Sequence, residues 1–195
     1  MLKFTSNEIR DIIISMVVIS FIFAHVLRGG NLTNTISFMP ATFLMVGLGF
    51  MLHELAHKYV AIRYGYWAEY KMWIQGLIFA LIIVFLTGFA FIAPGAVYIH
   101  GNYIKNNENG KISLAGPSTN IILALLFLLF TPLFSDLEIV RFAILGAIVN
   151  SFLAVFNLIP LGMFDGAKIF RWNPLIWVAA MATALILWAK SSGII

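Results

Sequence analysis

The sequence contains no cysteine and very little charge. Without cysteine, a disulfide framework and any cysteine-ligated metal site are excluded. Charged residues make up 10% of the 195 positions, whereas a soluble domain carries about 25%. The ordinary soluble classes are therefore excluded as well. The net charge of +4 is spread over positions that flank apolar runs, which fits anchoring at a membrane interface better than nucleic-acid binding.

Hydrophobic residues dominate what is present, forming 62% of the chain in long runs. Several runs approach or exceed the roughly 20 residues that cross about 30 Å of hydrocarbon as a helix. They lack the apolar–polar alternation of transmembrane β-strands. We therefore predict an all-α polytopic membrane protein that forms a single domain over residues 1–195.

Charged residues divide the apolar sequence into six candidate spans. No small-x-small cleavage site is evident before Arg28, so we expect the first span to be uncleaved. With six spans, Lys and Arg divide seven to five between the two sides, and this split does not decide the orientation. The predicted spans cover residues 9–27, 36–62, 72–93, 117–134, 139–158 and 174–189.

An uncharged run over residues 72–104 is too long for one helix and is interrupted by Pro94 and Gly95. We predict strands at 96–100 and 112–115, joined through a turn at Asn109-Gly110, as a short membrane-associated β-hairpin. Because non-helical backbone cannot face lipid unpaired, this hairpin would lie against protein or at the interface. It would offer a free strand edge.

The second span contains an H-E-x-x-H pattern at residues 53–57. On a helix His53 and His57 lie one turn apart on one face, so both imidazoles can reach one ion. Glu54 lies on the same side, where it can act as a general base without being a ligand. The composition gives roughly 0.002 expected chance occurrences of the pattern. Such residues are costly in an apolar helix unless they are paired or bind something.

The depth of these residues follows from the end of the same helix. Tyr64-Gly65-Tyr66-Trp67 predicts a helix C-terminus followed by an aromatic interface belt. The two histidines would then lie roughly 12 to 18 Å below the interface, within the hydrocarbon slab. Water would have to be admitted by the protein itself.

A catalytic zinc site needs a third protein ligand and an open position. His25 fits an interfacial or helix-packing role, and His100 borders a Gly-Asn loop, where we expect it to be exposed. Asp165 remains, after Pro160, which is expected to break the fifth span. An Asp-Gly turn at the membrane surface is the simpler explanation of Asp165 alone. A ligand is the better one beside a zinc-binding pair in the same membrane.

These motifs resemble the signatures of the site-2 proteases, the intramembrane zinc metalloproteases of peptidase family M50. The chain has H-E-x-x-H at 53–57, G-P-x-x-N at 116–120 and N-x-x-P followed by D-G between 157 and 166, in the family's order. The resemblance covers residues 50–166. It implies that His53, His57 and Asp165 bind one zinc ion, and that Glu54 is the general base and acid.

Three asparagines complete the expectations for the site. The resemblance implies a role for Asn120 in binding substrate or the developing oxyanion, and we predict the same role for Asn157. Asn150 lies on nearly the same helix face as Asn157, and we expect it to make an interhelical hydrogen bond.

The sequence therefore predicts a multi-pass protein of the cell membrane, with a transmembrane metalloprotease domain and a catalytic core at about residues 37–170. Its partners would be the lipid bilayer and a transmembrane protein or peptide substrate, cleaved within or near its span; no nucleic acid is expected. Two alternatives remain open, a divalent-cation transporter and a catalytically silent metal-binding scaffold. Neither needs Glu54 between the ligands.

Overall fold

The computed structural model describes residues 3–90, 94–101 and 103–195. Within these ranges the chain is mainly helical, with one two-stranded sheet. The end of the predicted span 72–93, at 91–93, lies outside the described residues. The elements, in chain order, are α1 Ser6–Leu27, α2 Leu32–Thr42, α3 Leu48–Arg63, β1 Trp67–Met72, α4 Ile74–Thr87, β2 Gly95–His100, α5 Asn106–Phe130, α6 Leu137–Asn157, α7 Asp165–Trp172 and α8 Pro174–Ser191.

Five helical segments of the described chain are long and apolar enough to cross a membrane: α1, the continuous run from α2 to α3, α5, α6 and α8. The prediction of a polytopic helical membrane protein is confirmed. The third predicted span is shorter than expected, because α4 has 14 residues. At 1.5 Å per residue it extends about 21 Å, less than the hydrocarbon thickness.

The run from α2 to α3 spans Leu32–Arg63. Between the two helices, Phe43–Gly47 forms a π-helical turn. Pro40 lies just before it, inside α2. Proline lacks an N–H and its ring crowds the carbonyl four residues earlier, so the regular hydrogen-bond ladder is disturbed here. The helix ends at the predicted place, since Tyr64 is its C-cap and Gly65 has a positive φ of 85°.

The sheet differs from the predicted hairpin. β2 confirms the strand predicted at 96–100, but its antiparallel partner is β1, with Tyr70 opposite Val97 and Met72 opposite Gly95. Residues 112–115 and the predicted Asn109-Gly110 turn lie inside α5, so this part of the prediction was wrong. A Cβ at position 110 would overlap the Trp172 side chain, so the glycine serves close packing of α5 on α7 rather than a turn.

The segment between the two strands begins and ends at the same place. The Trp73 N–H donates to the Pro94 carbonyl at 2.8 Å, directly beside the pairing of Met72 with Gly95. Between these points α4 packs along α1, where Ala80 and Val84 belong to a buried apolar cluster with Ile22 of α1. The two described ends of this segment, at Trp73 and Pro94, therefore lie together at the sheet.

The main core lies where α1, α3, β1 and α6 meet, around Met16, Phe50, Tyr70 and Leu153. The sheet consequently lies between α1 and α3 at one end of the bundle. The start of α5 and the end of α6 lie at the same end, because α7, which follows α6, packs on the start of α5. This arrangement brings three sequence motifs that are far apart in the chain together.

Candidate metal centre

α3 presents both predicted histidines to the interior of the bundle. The Nε2 atoms of His53 and His57 lie 3.0 Å apart. Asp165 joins them from α7, with its Oδ2 at 3.4 Å from His53 Nε2 and 3.0 Å from His57 Nε2. All three residues are buried. The structure thus brings together the three residues predicted as ligands, in a group whose spacing suits one metal ion.

Asp165 reaches this position because α6 ends at Asn157 and the chain then runs irregularly to α7. Pro160 cannot continue a helix, as the sequence predicted. Gly166 lies so close to the Leu158 carbonyl that a Cβ would overlap it. The same carbonyl accepts a hydrogen bond from Trp177 Nε1 at 2.7 Å, which satisfies a backbone group freed by the break.

Each imidazole is oriented by a hydrogen bond on its far side. His57 Nδ1 donates to the Ile112 carbonyl at 2.8 Å. His53 Nδ1 lies 2.6 Å from Asn120 Oδ1, which accepts, since Asn120 Nδ2 donates to Gly49 and Asn150. With both protons on Nδ1, both Nε2 lone pairs face the shared point near Asp165. Three acceptor atoms in contact repel one another unless a cation lies between them.

Glu54 lies beside this group but outside it. Its side chain is buried, and its Oε2 has no hydrogen-bond partner among the described residues. An unpaired buried carboxylate oxygen is costly, and such groups concentrate at functional sites. Glu54 also lines a cavity of about 410 Å³ together with the three candidate ligands. The carboxylate therefore faces space in which a substrate and water can lie.

The cavity is bounded by the strand predicted at 96–100 and by Lys168, a residue that the sequence did not single out. β2 forms one wall, from Gly95 to Ile99. Lys168 forms another, and its Nζ lies 3.5 Å from Asp165 Oδ1, the oxygen that faces away from the imidazoles. A basic residue three positions after a candidate ligand, on the same helix face, is the signal that could have pointed to Lys168.

Gly116 closes the site on the side of α5. A Cβ at this position would overlap the Nε2 atoms of both His53 and His57. The G-P-x-x-N motif therefore brings bare backbone against the imidazoles at its first position and a histidine partner at its last. The space that a side chain would fill is left beside the shared point.

The other predicted residues are placed as follows. Asn157 is half-buried, lines the cavity and donates to the Leu153 carbonyl of its own helix at 2.9 Å. Asn150 makes the expected interhelical bond, donating to the Met45 carbonyl at 3.1 Å. His25 is buried far from the site, 3.2 Å from Thr35 Oγ1, and His100 is exposed.

The donor set fits zinc. Two neutral imidazoles and one carboxylate, each held from behind, form a known ligand combination for catalytic zinc, and they leave a position open towards the cavity. The unpaired Glu54 oxygen and the missing Cβ of Gly116 agree with an ion between them.

Comparisons with known proteins identify relatives of this chain. The model of peptidase family M50 matches residues 41–137. A putative zinc metalloprotease of Methanocaldococcus jannaschii is 42% identical over 176 residues, which cover 90% of this chain and 89% of the relative. A zinc metalloprotease of the same organism is 27% identical over 84% of this chain and 43% of its own length. The putative zinc metalloprotease YwhC of Bacillus subtilis is 29% identical over 69% of each chain. No solved structure matches significantly.

The first of these relatives matches along almost its whole length, and the matched part of this chain includes helices long and apolar enough to cross a membrane and a donor set that suits zinc. The chain therefore belongs to peptidase family M50, the membrane-embedded zinc metalloproteases.

Proposed function

We propose that this chain is an intramembrane zinc metalloprotease that hydrolyses peptide bonds within or near the transmembrane segments of its substrates. The observation that carries the proposal is the unpaired Glu54 oxygen beside the convergent His53, His57 and Asp165. Glu54 and the two histidines lie in a helical segment long enough to cross the membrane. In this proposal residues 1–195 act as one domain, with residues 37–170 as the catalytic core.

His53, His57 and Asp165 would hold the zinc ion. When bound, zinc supplies Lewis-acid polarisation of the scissile carbonyl and lowers the pKa of water. Glu54 takes the proton of the attacking water on its free oxygen and delivers it to the leaving amide nitrogen. Asn120 and the Ile112 carbonyl hold the two imidazoles in the tautomer that this chemistry needs.

The substrate is a transmembrane protein or peptide that binds in extended form. A transmembrane helix shields its carbonyls, so it must unwind locally before it can be cut. β2 lines the cavity beside Glu54 and has no strand on its other side among the described residues. A substrate strand that adds to this edge regains the backbone hydrogen bonds lost on unwinding.

Cleavage of single-span membrane substrates by purified protein in detergent, compared with Glu54→Gln, tests the function. We expect cleavage within the apolar segment by the wild type and a loss of about 10²–10⁴-fold in the variant, since general acid–base catalysis contributes about that much. Zinc content should stay at one ion per chain in both proteins.

The effect of Glu54→Gln on cleavage and on metal transport separates this proposal from its alternatives. A divalent-cation transporter or a silent scaffold with the same ligands has no use for Glu54, so Glu54→Gln would leave metal transport in proteoliposomes unchanged. Equal cleavage by both proteins, or metal transport that survives the substitution in a protein that never cleaves, would overturn the proposed function.

A further inference from the structure

An ion pair that takes no part in the zinc chemistry is buried between α1 and α3, the helix that carries His53 and His57. Lys58 Nζ lies 2.7 and 2.6 Å from the two carboxylate oxygens of Glu8, and both side chains are almost completely buried, at 2% and 1% exposure. Lys58 also donates to the Lys3 carbonyl at 2.6 Å. Replacing such a pair by apolar residues is often neutral or stabilising, so stability alone does not account for it.

Glu8 has a second partner in the sheet. Its Oε1 accepts the backbone N–H of Tyr70 at 3.0 Å, and Asp11 Oδ2 accepts the N–H of Met72 at 3.2 Å. Ser15 Oγ accepts the Tyr70 hydroxyl at 2.9 Å on the same face of α1. The outer edge of β1 is therefore capped by side chains of α1 in the way that another strand would cap it.

The capping determines which edge of the sheet remains open. Tyr70 and Met72 direct their N–H groups to α1, so their antiparallel partners Val97 and Gly95 direct theirs away from β1. That second edge borders the cavity with Glu54. One edge of the sheet is thus occupied by carboxylates, and the other faces the site of cleavage.

Lys58 links this arrangement to α3, the helix that carries His53 and His57. It follows His57 directly, and one residue corresponds to a rotation of about 100° around α3. His57 can therefore face the metal site while Lys58 faces α1 and Glu8. The pair joins α3, which carries the ligands, to the helix that holds β1.

We propose that Glu8 and Lys58 are positioning residues that fix the height of the substrate-binding edge of β2 above the zinc ligands, and thereby select which peptide bond is cut. The inference rests on the proposed function, in which an extended substrate pairs with β2. Neighbouring residues of a strand are about 3.3 Å apart, so a small displacement of the sheet brings a different bond to the metal.

The test compares the cut sites of wild type, Glu8→Leu/Lys58→Met and Glu8→Gln/Lys58→Met by mass spectrometry of the products of one membrane substrate. The first variant removes the cap on Tyr70, whereas glutamine keeps an acceptor for its N–H. We expect Glu8→Leu/Lys58→Met to cut at several adjacent bonds and to lose roughly tenfold to hundredfold in kcat/KM, since misplacement of about 1 Å has that effect. The glutamine variant keeps the cap on Tyr70 but loses the ionic link to α3, so it should cut mainly at the wild-type bond with a smaller share of cuts at adjacent bonds.

Zinc content and thermal stability are measured for every variant. Glu138→Gln serves as the matched control, because Glu138 forms an exposed ion pair with Arg141 at the other end of the bundle. Reduced activity of the leucine variant at an unchanged cut site would show a merely structural role and overturn the inference. If Glu8→Leu/Lys58→Met cut at a single site with the kcat/KM of the wild type, the inference would also be overturned. A wild type that cuts nothing would remove the proposed function itself.

Discussion

Asn120 is at the centre of a buried chain of hydrogen bonds. Its Oδ1 accepts from His53, and its amide donates to the Gly49 carbonyl at 3.3 Å and to Asn150 Oδ1 at 3.1 Å. Its Nδ2 makes two hydrogen bonds to the protein and its Oδ1 accepts one, and the residue is completely buried. The substrate or oxyanion role predicted from the sequence stays a prediction, and the hydrogen bonds favour a role in orienting His53.

The two roles of Asn120 can be separated by measuring zinc affinity. We expect Asn120→Ala to weaken zinc binding about 10–100-fold, as loss of a histidine's outer partner does, while Asn120→Asp retains an acceptor and recovers most of it. Competition with a chelator of known affinity measures this directly. Unchanged zinc affinity with a reduced kcat would instead favour the oxyanion role.

Gly116 leaves room for the ion between the imidazoles. Gly116→Ala should abolish zinc binding and activity, because the added Cβ overlaps both Nε2 atoms. In a helix interior the same change normally stabilises by about 0.5–1 kcal/mol. Zinc content measured by mass spectrometry, with thermal stability as the companion measurement, checks the prediction.

The control for Gly116 is Thr119→Ala on the same helix, whose hydroxyl donates to the Ala115 carbonyl of α5. It should keep its zinc. Full zinc occupancy in Gly116→Ala would show that the imidazoles can move aside and that the glycine is not required.

At the level of elements, the two strands differ in accessibility to a partner. A substrate strand on the open edge of β2 would lie about 4.8 Å from β2 and twice that from β1. Ala96 and Lys71 are paired residues with exposed side chains, one in each strand. Because the chain has no native cysteine, a substrate with one cysteine should form a disulfide with Ala96→Cys and not with Lys71→Cys.

Gel electrophoresis without reductant shows the disulfide. Preferential crosslinking through Lys71→Cys would place the substrate on β1 and contradict the pairing proposed here. Equal crosslinking through both positions would indicate collision in the detergent micelle rather than a defined binding edge.

What the sequence could predict depends on how local the determinants are. The H-E-x-x-H ligands lie on one helix turn, and Pro160 breaks a helix by its own chemistry, so the ligand pair and the helix break could both be predicted from the sequence. β1 was not, because W-A-E-Y-K-M has the composition of an interface belt and its partner lies beyond α4. The Asn-Gly signal at 109–110 was overridden by packing against Trp172. The depth of Glu8 and Lys58 likewise depends on contacts across the fold.

For the whole molecule, the observed topology changes the distribution of charge. If the five candidate spans of the described residues all cross the membrane and α4 stays on the side of the sheet, then the start of α1, the end of α3, the sheet, the start of α5 and α7 lie on one side. Lys and Arg then divide nine to three between the two sides. This split is large enough for the positive-inside rule. The nine are Lys3, Arg10, Lys58, Arg63, Lys71, Lys105, Lys111, Lys168 and Arg171, and the three are Arg28, Arg141 and Lys190.

We therefore expect the side that carries the sheet and the metal centre to face the cytoplasm. Single cysteines at Lys105 and Arg141, whose side chains are 68% and 64% exposed, report the two sides in a chain without other thiols. In intact cells a membrane-impermeant maleimide should label Arg141→Cys, and Lys105→Cys only after permeabilisation. The reverse pattern would contradict the orientation.

A sheet that is open at one edge also has a direction. The edge of β2 runs from Gly95 to His100, and a strand added to it in a given sense carries its carbonyls past Glu54 in one order only. A segment inserted in the bilayer with its N-terminus inside presents the opposite chain polarity to one with its N-terminus outside. Under the proposed pairing of substrates with β2, the same apolar sequence is a different substrate in each of its two membrane orientations, and we expect this chain to distinguish the two orientations independently of side-chain recognition.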